Sequence, residues 1–282
     1  MIELRSLEDN KLPEWNSIVE QLPNATLFHT MEWLNFLEKA FHLEKLPMGL
    51  YQDGRLAGLF PMLMTRKGPF RILGSPLTGW NTPYMGPLIK AELLNEAMSA
   101  FNSLMKSLKA DYVEVRFPQA DLILPSLPGF HNKPVYTYIL DLEGGENKAW
   151  NGLKRECRKA VRKALNNNVK IVDADERSWV EDFFPMLKNT FAKSGQVPTR
   201  TKQYYYDLWD YLIPTKNVKV LFAEHEGHRI AGLVLRPVDR GFQEVGRIGA
   251  AIGIPADIEL HRGQRSLRFG RLDVQAIAAR LR

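Results

Sequence analysis

The sequence predicts a mixed α/β (α+β) fold made of two α/β units in tandem, over residues 1–144 and 145–282, with the second unit incomplete. Three observations carry this expectation. The 282 residues exceed what one ordinary core of about 100 to 150 residues needs. Helical and strand periodicities alternate along the chain. A helix followed by a hairpin also occurs twice: Leu56-Ala57-Gly58-Leu59 after Asp53-Gly54-Arg55, and Ile230-Ala231-Gly232-Leu233 after Glu226-Gly227-His228-Arg229. Duplication of one unit produces such a pattern, although a match this short also arises by chance.

The first helix is expected over Thr30 to Phe41. There Trp33, Leu34, Leu37 and Phe41 recur at helical spacing and Thr30 stands where a cap is needed. Met48 to Tyr51 and Leu56 to Met64 flank Asp53-Gly54, a strong hairpin signal. An apolar segment around Arg71 to Leu73, an aromatic and glycine-rich loop from Gly74 to Gly86, and a strand-like Met85 to Ile89 follow. Leu93, Leu94, Ala97, Met98, Phe101, Leu104, Met105 and Leu108 then form one helical face. Asp111 to Arg116 and Tyr136 to Leu142 read as strands. In the second half, helices are expected from about Asn147 and over Thr201 to Leu212, before the hairpin Val218 to Ala223 and Ile230 to Leu235.

Beyond Leu235 the pattern changes. No clean strand run is evident, and only a late helix from Asp273 to Leu281 suggests itself. Lysine does not occur after Lys219, whereas arginine is dense through Arg236, Arg240, Arg247, Arg262, Arg265, Arg268, Arg271, Arg280 and Arg282. A wrong reading frame or truncation gives such a shift, and so does a basic tail.

Composition narrows the function classes. No apolar run approaches the roughly 20 residues of a membrane span, and Met1 to Asn10 lacks the form of a secretory leader. A cytoplasmic protein is expected. Cys157 is the only cysteine, so an internal disulfide and a thiolate metal cage are excluded. The net charge of +6 favours an anionic partner such as a phosphate-bearing donor, RNA or an anionic membrane surface, or else serves solubility.

Several segments carry a family resemblance. Cys157-Arg158-Lys159-Ala160-Val161-Arg162-Lys163-Ala164 running into Asn168-Val169 looks like an arginine-rich helix entering a strand, and Thr190 to Thr199 looks like a phenylalanine-to-proline-threonine loop. Leu212-Ile213-Pro214-Thr215, Arg229-Ile230-Ala231-Gly232, Phe28-His29-Thr30-Met31-Glu32-Trp33, Gly74-Ser75-Pro76 and Tyr84-Met85-Gly86-Pro87 complete the set. Together they resemble the tandem acetyltransferase-like (GNAT) family that includes the FemAB-like peptidoglycan aminoacyltransferases. That resemblance implies two tandem acetyltransferase-like domains and no bound cofactor. Acetyl-CoA or aminoacyl-tRNA would be the donor substrate, and a cell-envelope or polysaccharide precursor would offer the acceptor amine or hydroxyl. The Trp-Gly-Gly-Ala-Ser-like strand, Pro-Asn-Glu-like helix start and late Asp-containing strand of the family are missing after the second hairpin, which puts the activity in question. A non-catalytic binding protein is the alternative.

The candidate site residues follow. Acyl transfer requires a polarised carbonyl, a deprotonated acceptor and alignment of the two, and no covalent nucleophile. Cys157 reads as packing on a Trp150, Leu153, Cys157, Ala160, Val161, Ala164 face. Lys154, Arg155, Arg158, Lys159, Arg162 and Lys163 lie on the other side, as a phosphate-holding surface or a solvated one. The Gly74 to Gly86 loop with Trp80, Thr82 and Tyr84 forms an acceptor cleft or a packed connection. Pro198 and Thr199 shape the acceptor site, or Thr199 or Thr201 caps the next helix. His225 and His228 read as turn residues, and no metal site is expected. Gln243 to Ala250 only brushes against a glycine-rich phosphate loop. Glu32 and Glu114 read as solvated or structural carboxylates, so the general base is unassigned.

Overall fold

The computed structural model describes residues 1–117, 130–139, 145–216, 218–237, 248–253 and 270–280. The chain forms two compact units, Met1–Thr137 together with Arg271–Arg282, and Tyr138–Gly270.

The first unit contains β1 (Ile2–Ser6), α1 (Trp15–Gln21), α2 (Met31–Phe41), β2 (Glu44–Gln52), β3 (Arg55–Lys67), β4 (Phe70–Ser75), α3 (Leu94–Leu108), β5 (Tyr112–Phe117) and β6 (His131–Ile139). The last strand of the chain, β11 (Gly270–Arg280), joins the same sheet, whose order is β1-β2-β3-β4-β5-β11-β6. Strands β1 to β4 pair antiparallel, whereas β4 and β5 run parallel with Gly74 opposite Glu114. Helix α3 makes that parallel pair possible, because a crossover is needed to bring the chain back in the same direction. Its Leu94, Ala97, Met98, Phe101 and Met105 are buried in one cluster with Phe60, Leu73, Val113 and Val115.

Helix α2 starts as its sequence requires, with the Thr30 hydroxyl accepting from the Trp33 amide at 3.3 Å. Just before it, a 3-10 turn over Leu27–His29 buries His29 completely. The Thr26 amide donates to His29 Nδ1 at 3.1 Å, so the ring carries its hydrogen on Nε2, which donates to the Met85 carbonyl at 3.1 Å. Burial lowers the pKa of this histidine from 6.5 to about 4, against the raising effect of the bond to the Met85 carbonyl.

The second unit contains α4 (Gly145–Gly152), α5 (Arg155–Asn166), β7 (Lys170–Asp173), α6 (Trp179–Ala192), α7 (Lys202–Leu212), β8 (Lys219–His225), β9 (His228–Pro237) and β10 (Ile248–Gly253). Its sheet is antiparallel in the order β10-β9-β8-β7. Trp179, Phe183 and Leu187 of α6, Tyr204, Tyr205, Leu208 and Leu212 of α7 and Phe222 of β8 are buried, and Trp179 and Phe183 pack on Tyr205 with ring centroids 6.2 and 5.3 Å apart.

The two hairpins share more than sequence. Asp53-Gly54 and Glu226-Gly227 form two-residue turns with φ of 49° and 79° in one and 50° and 78° in the other. Positive φ at both positions is the turn whose twist matches antiparallel strands. In each hairpin two residue pairs follow the turn and then the register shifts, between Leu50 and Tyr51 and between Ala223 and Glu224. The glycine of each repeated tetrapeptide has no room for a side chain. A Cβ on Gly58 would stand 2.3 Å from the Leu88 carbonyl oxygen, and one on Gly232 would stand 2.7 Å from the Phe183 ring. The glycine falls one residue later after the turn in the second copy, so the correspondence covers the turn and bulge strictly and the tetrapeptide by an offset of one.

Three sequence expectations are corrected. Met85 to Ile89 is not a strand but a single bridge, Leu59 to Leu88, with amide-to-carbonyl distances of 3.0 and 2.8 Å. The late segment is strand β11 rather than a helix, in keeping with the alternation Leu272-Asp273-Val274-Gln275-Ala276. A strand does follow the second hairpin, since β10 pairs with β9 from Ile248↔Pro237 to Gly253↔Gly232. Its Gly-Ala-Ala content has weak strand propensity and hid it. The expected strand Tyr136 to Leu142 is found earlier, as β6; residues 140–142, like 243–247 of the glycine-rich motif, lie outside the described residues.

Two outcomes are expected. Because the folded pKa of His29 is depressed, the folded state resists a proton that the unfolded chain accepts. Stability is therefore complete above about pH 6.5 and is lost as pH falls towards 4, by up to about 3 kcal/mol. Denaturant titrations from pH 7.5 to 4 will show this loss, and His29→Gln will reduce it. Gly58→Ala must push a Cβ into a backbone carbonyl and is expected to cost about 1–3 kcal/mol, read as a lowered denaturation midpoint.

Candidate functional site

The open end of the parallel β4–β5 pair gathers the polar groups of the first unit. Strand alternation puts Tyr112, Glu114 and Arg116 on one face, opposite Val113, Val115 and Phe117. Glu114 is 4% exposed. It accepts from the Thr78 amide at 3.0 Å, the Thr78 hydroxyl at 2.8 Å and Arg116 Nε at 2.8 Å. Arg116 also donates to the Thr78 hydroxyl. Burial first, and then the Glu114 charge, push the Tyr112 phenol above its ordinary pKa, and its hydroxyl points at Glu114 at 3.5 Å. With both oxygens engaged, Glu114 holds structure and is not placed to take a proton from an acceptor. Glu32 is likewise engaged, accepting from Asn16 Nδ2 at 2.9 and 2.8 Å.

The loop that leaves β4 through the cis Ser75–Pro76 bond folds back over this end. Its Trp80 and Tyr84 are 6% and 3% exposed. Trp80 lies against Gly74, where a Cβ would come within 2.8 Å of its ring. Tyr84 packs edge-on against Phe28 at 5.6 Å, and Thr82 accepts from the Trp33 indole at 3.1 Å. These side chains anchor the loop on the entry to α2. Beside the loop, a cleft of about 320 Å³ is lined by Asn24, Met85, Leu88, Lys90 and Phe117 among others.

In the second unit the basic helix is α5. Arg158 turns away from solvent, donating to the carbonyls of Trp150, Asn151 and Leu153 at 3.4, 3.2 and 2.6 Å. It thereby satisfies the carbonyls at the end of α4, an effect that positive charge at a helix C-terminus reinforces. The Arg162 guanidinium lies 5.7 Å from the Trp150 ring centroid, and Lys163 is exposed. Cys157 is half-buried, but α5 buries none of its side chains. The expected face is only partly covered among the described residues: Trp150, Leu153, Cys157 and Ala164 are half-buried, whereas Ala160 and Val161 are exposed. Helical spacing shows that a stripe exists, and only tertiary contacts decide whether it is covered.

Pro198 is half-buried and Thr199 exposed in the loop before α7. Thr201 occupies the N-cap position without a side-chain cap bond, so neither threonine serves as the expected hydroxyl cap. The neighbouring surface carries a charged set that the sequence reading missed. Glu181 accepts from Lys202 and from the Tyr206 hydroxyl, and these two, in that order, lower its pKa. Arg177 grips Asp210 through two bonds at 2.7 and 2.9 Å. The first set joins α6 to α7 and the second ties the turn before α6 to α7, across long sequence separations that no local pattern signals. Glu114 and Arg116, two apart on an alternating strand, were readable as a same-face ion pair. His225 and His228 pair across the hairpin turn.

The geometry can be set beside known proteins. Residues 128–226 match the family model described as the FemAB family. No curated protein matches the chain. Its fold is similar to that of FemX, with a TM-score of 0.60 and 18% identity over 83% of this chain and 58% of that one. The chain thus spans 58% of the length of the FemX chain. A conserved protein of unknown function from Bacteroides thetaiotaomicron VPI-5482 is similar in fold over 99% of both chains, with a TM-score of 0.59 and 10% identity. Residues 128–226 are thus similar to the FemAB family, and the α+β fold of the chain is similar to that of FemX.

Proposed function

We propose that this protein is an acyltransferase of the FemAB type. It would move an acyl group from acetyl-CoA or aminoacyl-tRNA to an amine or hydroxyl of a cell-envelope or polysaccharide precursor, in the cytoplasm. The family match over residues 128–226 carries this reading. That segment includes the exposed cations of α5 and the Pro198–Thr199 loop, the surfaces suited to a phosphate-bearing donor and to an acceptor. The chemistry requires alignment and charge stabilisation rather than a covalent nucleophile, in keeping with a chain whose one thiol is Cys157. Trp80 and Tyr84 act in this reading by holding the loop over β4 and β5 rather than by facing the acceptor.

A second reading is a binding protein without catalysis. It is favoured by the engagement of Glu114 and Glu32 with neighbouring donors, which leaves neither carboxylate poised as a base. The two readings part on donor binding. Calorimetry is expected to show saturable binding of acetyl-CoA, or filter binding to show saturable retention of aminoacyl-tRNA; binding of neither sinks the transferase reading. If tRNA is the donor, Lys163→Ala lowers the slope of log affinity against log salt by about 1.

A further inference from the structure

Helix α5 is amphipathic in sequence, yet its apolar stripe is largely uncovered by the described residues. None of its residues is buried, Val161 is 40% exposed and Leu165 63%. Ile171, on the edge strand β7 that follows, is 65% exposed. At 100° per residue Val161 and Leu165 lie on the flank of the apolar stripe that borders Arg158 and Arg162. Arg155, Lys159 and Lys163 continue around the polar side, and Glu156 is the one acidic residue of the helix. Arg158 is committed to the end of α4 and Arg162 lies by the Trp150 ring, whereas Arg155, Lys159 and Lys163 are exposed.

Charge and exposure together select the occupant. A polyanion such as RNA would account for the cations but not for three large aliphatic side chains left in water beside them. An apolar protein surface would account for the aliphatic groups but would bury the cations unpaired. A bilayer bearing anionic headgroups satisfies both, since interfacial helices combine a cationic face with an apolar stripe set at the headgroup boundary. We propose that α5, with Ile171, docks on the surface of an anionic phospholipid bilayer. Val161 and Leu165 enter the boundary between headgroups and acyl chains, Arg162 on the adjoining flank meets lipid phosphates, and Arg155, Lys159 and Lys163 on the solvent side add longer-range attraction to the anionic surface. This inference does not depend on acyl transfer, because its readout is binding to lipid alone.

Flotation of the purified full chain with vesicles tests it, using phosphatidylcholine alone and phosphatidylcholine with about one-third phosphatidylglycerol at about 0.1 M salt. Binding to the anionic vesicles only is expected. Leu165→Asn, at an exposed position and with an unchanged melting temperature, should weaken that binding roughly tenfold, and Leu165→Trp should strengthen it. Failure of the wild type to float with anionic vesicles overturns the proposal. So does Leu165→Asn floating as well as the wild type, which would identify α5 as a polyanion-binding face. Donor binding is read separately, by calorimetry without vesicles, so that failure of the lipid proposal and failure of the transferase reading are told apart.

Discussion

Glu114 is the residue on which the organised end of the first unit depends. A carboxylate taken out of water is costly unless its oxygens are filled, and here they are filled by the amide and hydroxyl of Thr78 and the guanidinium of Arg116. Thr78 belongs to the loop, so satisfying the charge also folds the loop back over β4 and β5. Everything beyond follows from that fold-back. Trp80 comes down on Gly74, Thr82 receives the Trp33 indole, and the Met85 carbonyl receives the hydrogen of His29. The aromatic side chains that look like a ligand cleft in the sequence are the anchors of this loop.

The two hairpins show how little sequence a duplicated geometry needs. The turn demands two residues at positive φ and the bulge demands one extra residue, and both copies meet these demands with different side chains around them. The glycines serve another purpose, admitting the Leu88 backbone in one copy and the Phe183 ring in the other. A tetrapeptide that recurs can therefore reflect a recurring lack of space rather than a recurring contact.

Helix α5 makes the converse point. Its apolar stripe and cationic side are plain in the sequence, and a stripe of that kind ordinarily packs on a core. Here only Cys157, Arg158 and Ala164 are even half-buried, and Arg158 reaches the carbonyls at the end of α4.

The sequence by itself determined the elements whose signals are local. The capped start of α2, the face of α3, and the Asp-Gly and Glu-Gly turns all depend on neighbours a few residues apart. The tertiary structure alone decided which faces are covered, that Glu114 meets Thr78 and that His29 meets Met85, since these partners are brought together only by the sheet and its crossover. It also decided that the late segment is a strand. There, short alternation competes with alanine-rich helix propensity, and pairing with β5 supplies the backbone bonds that settle the contest.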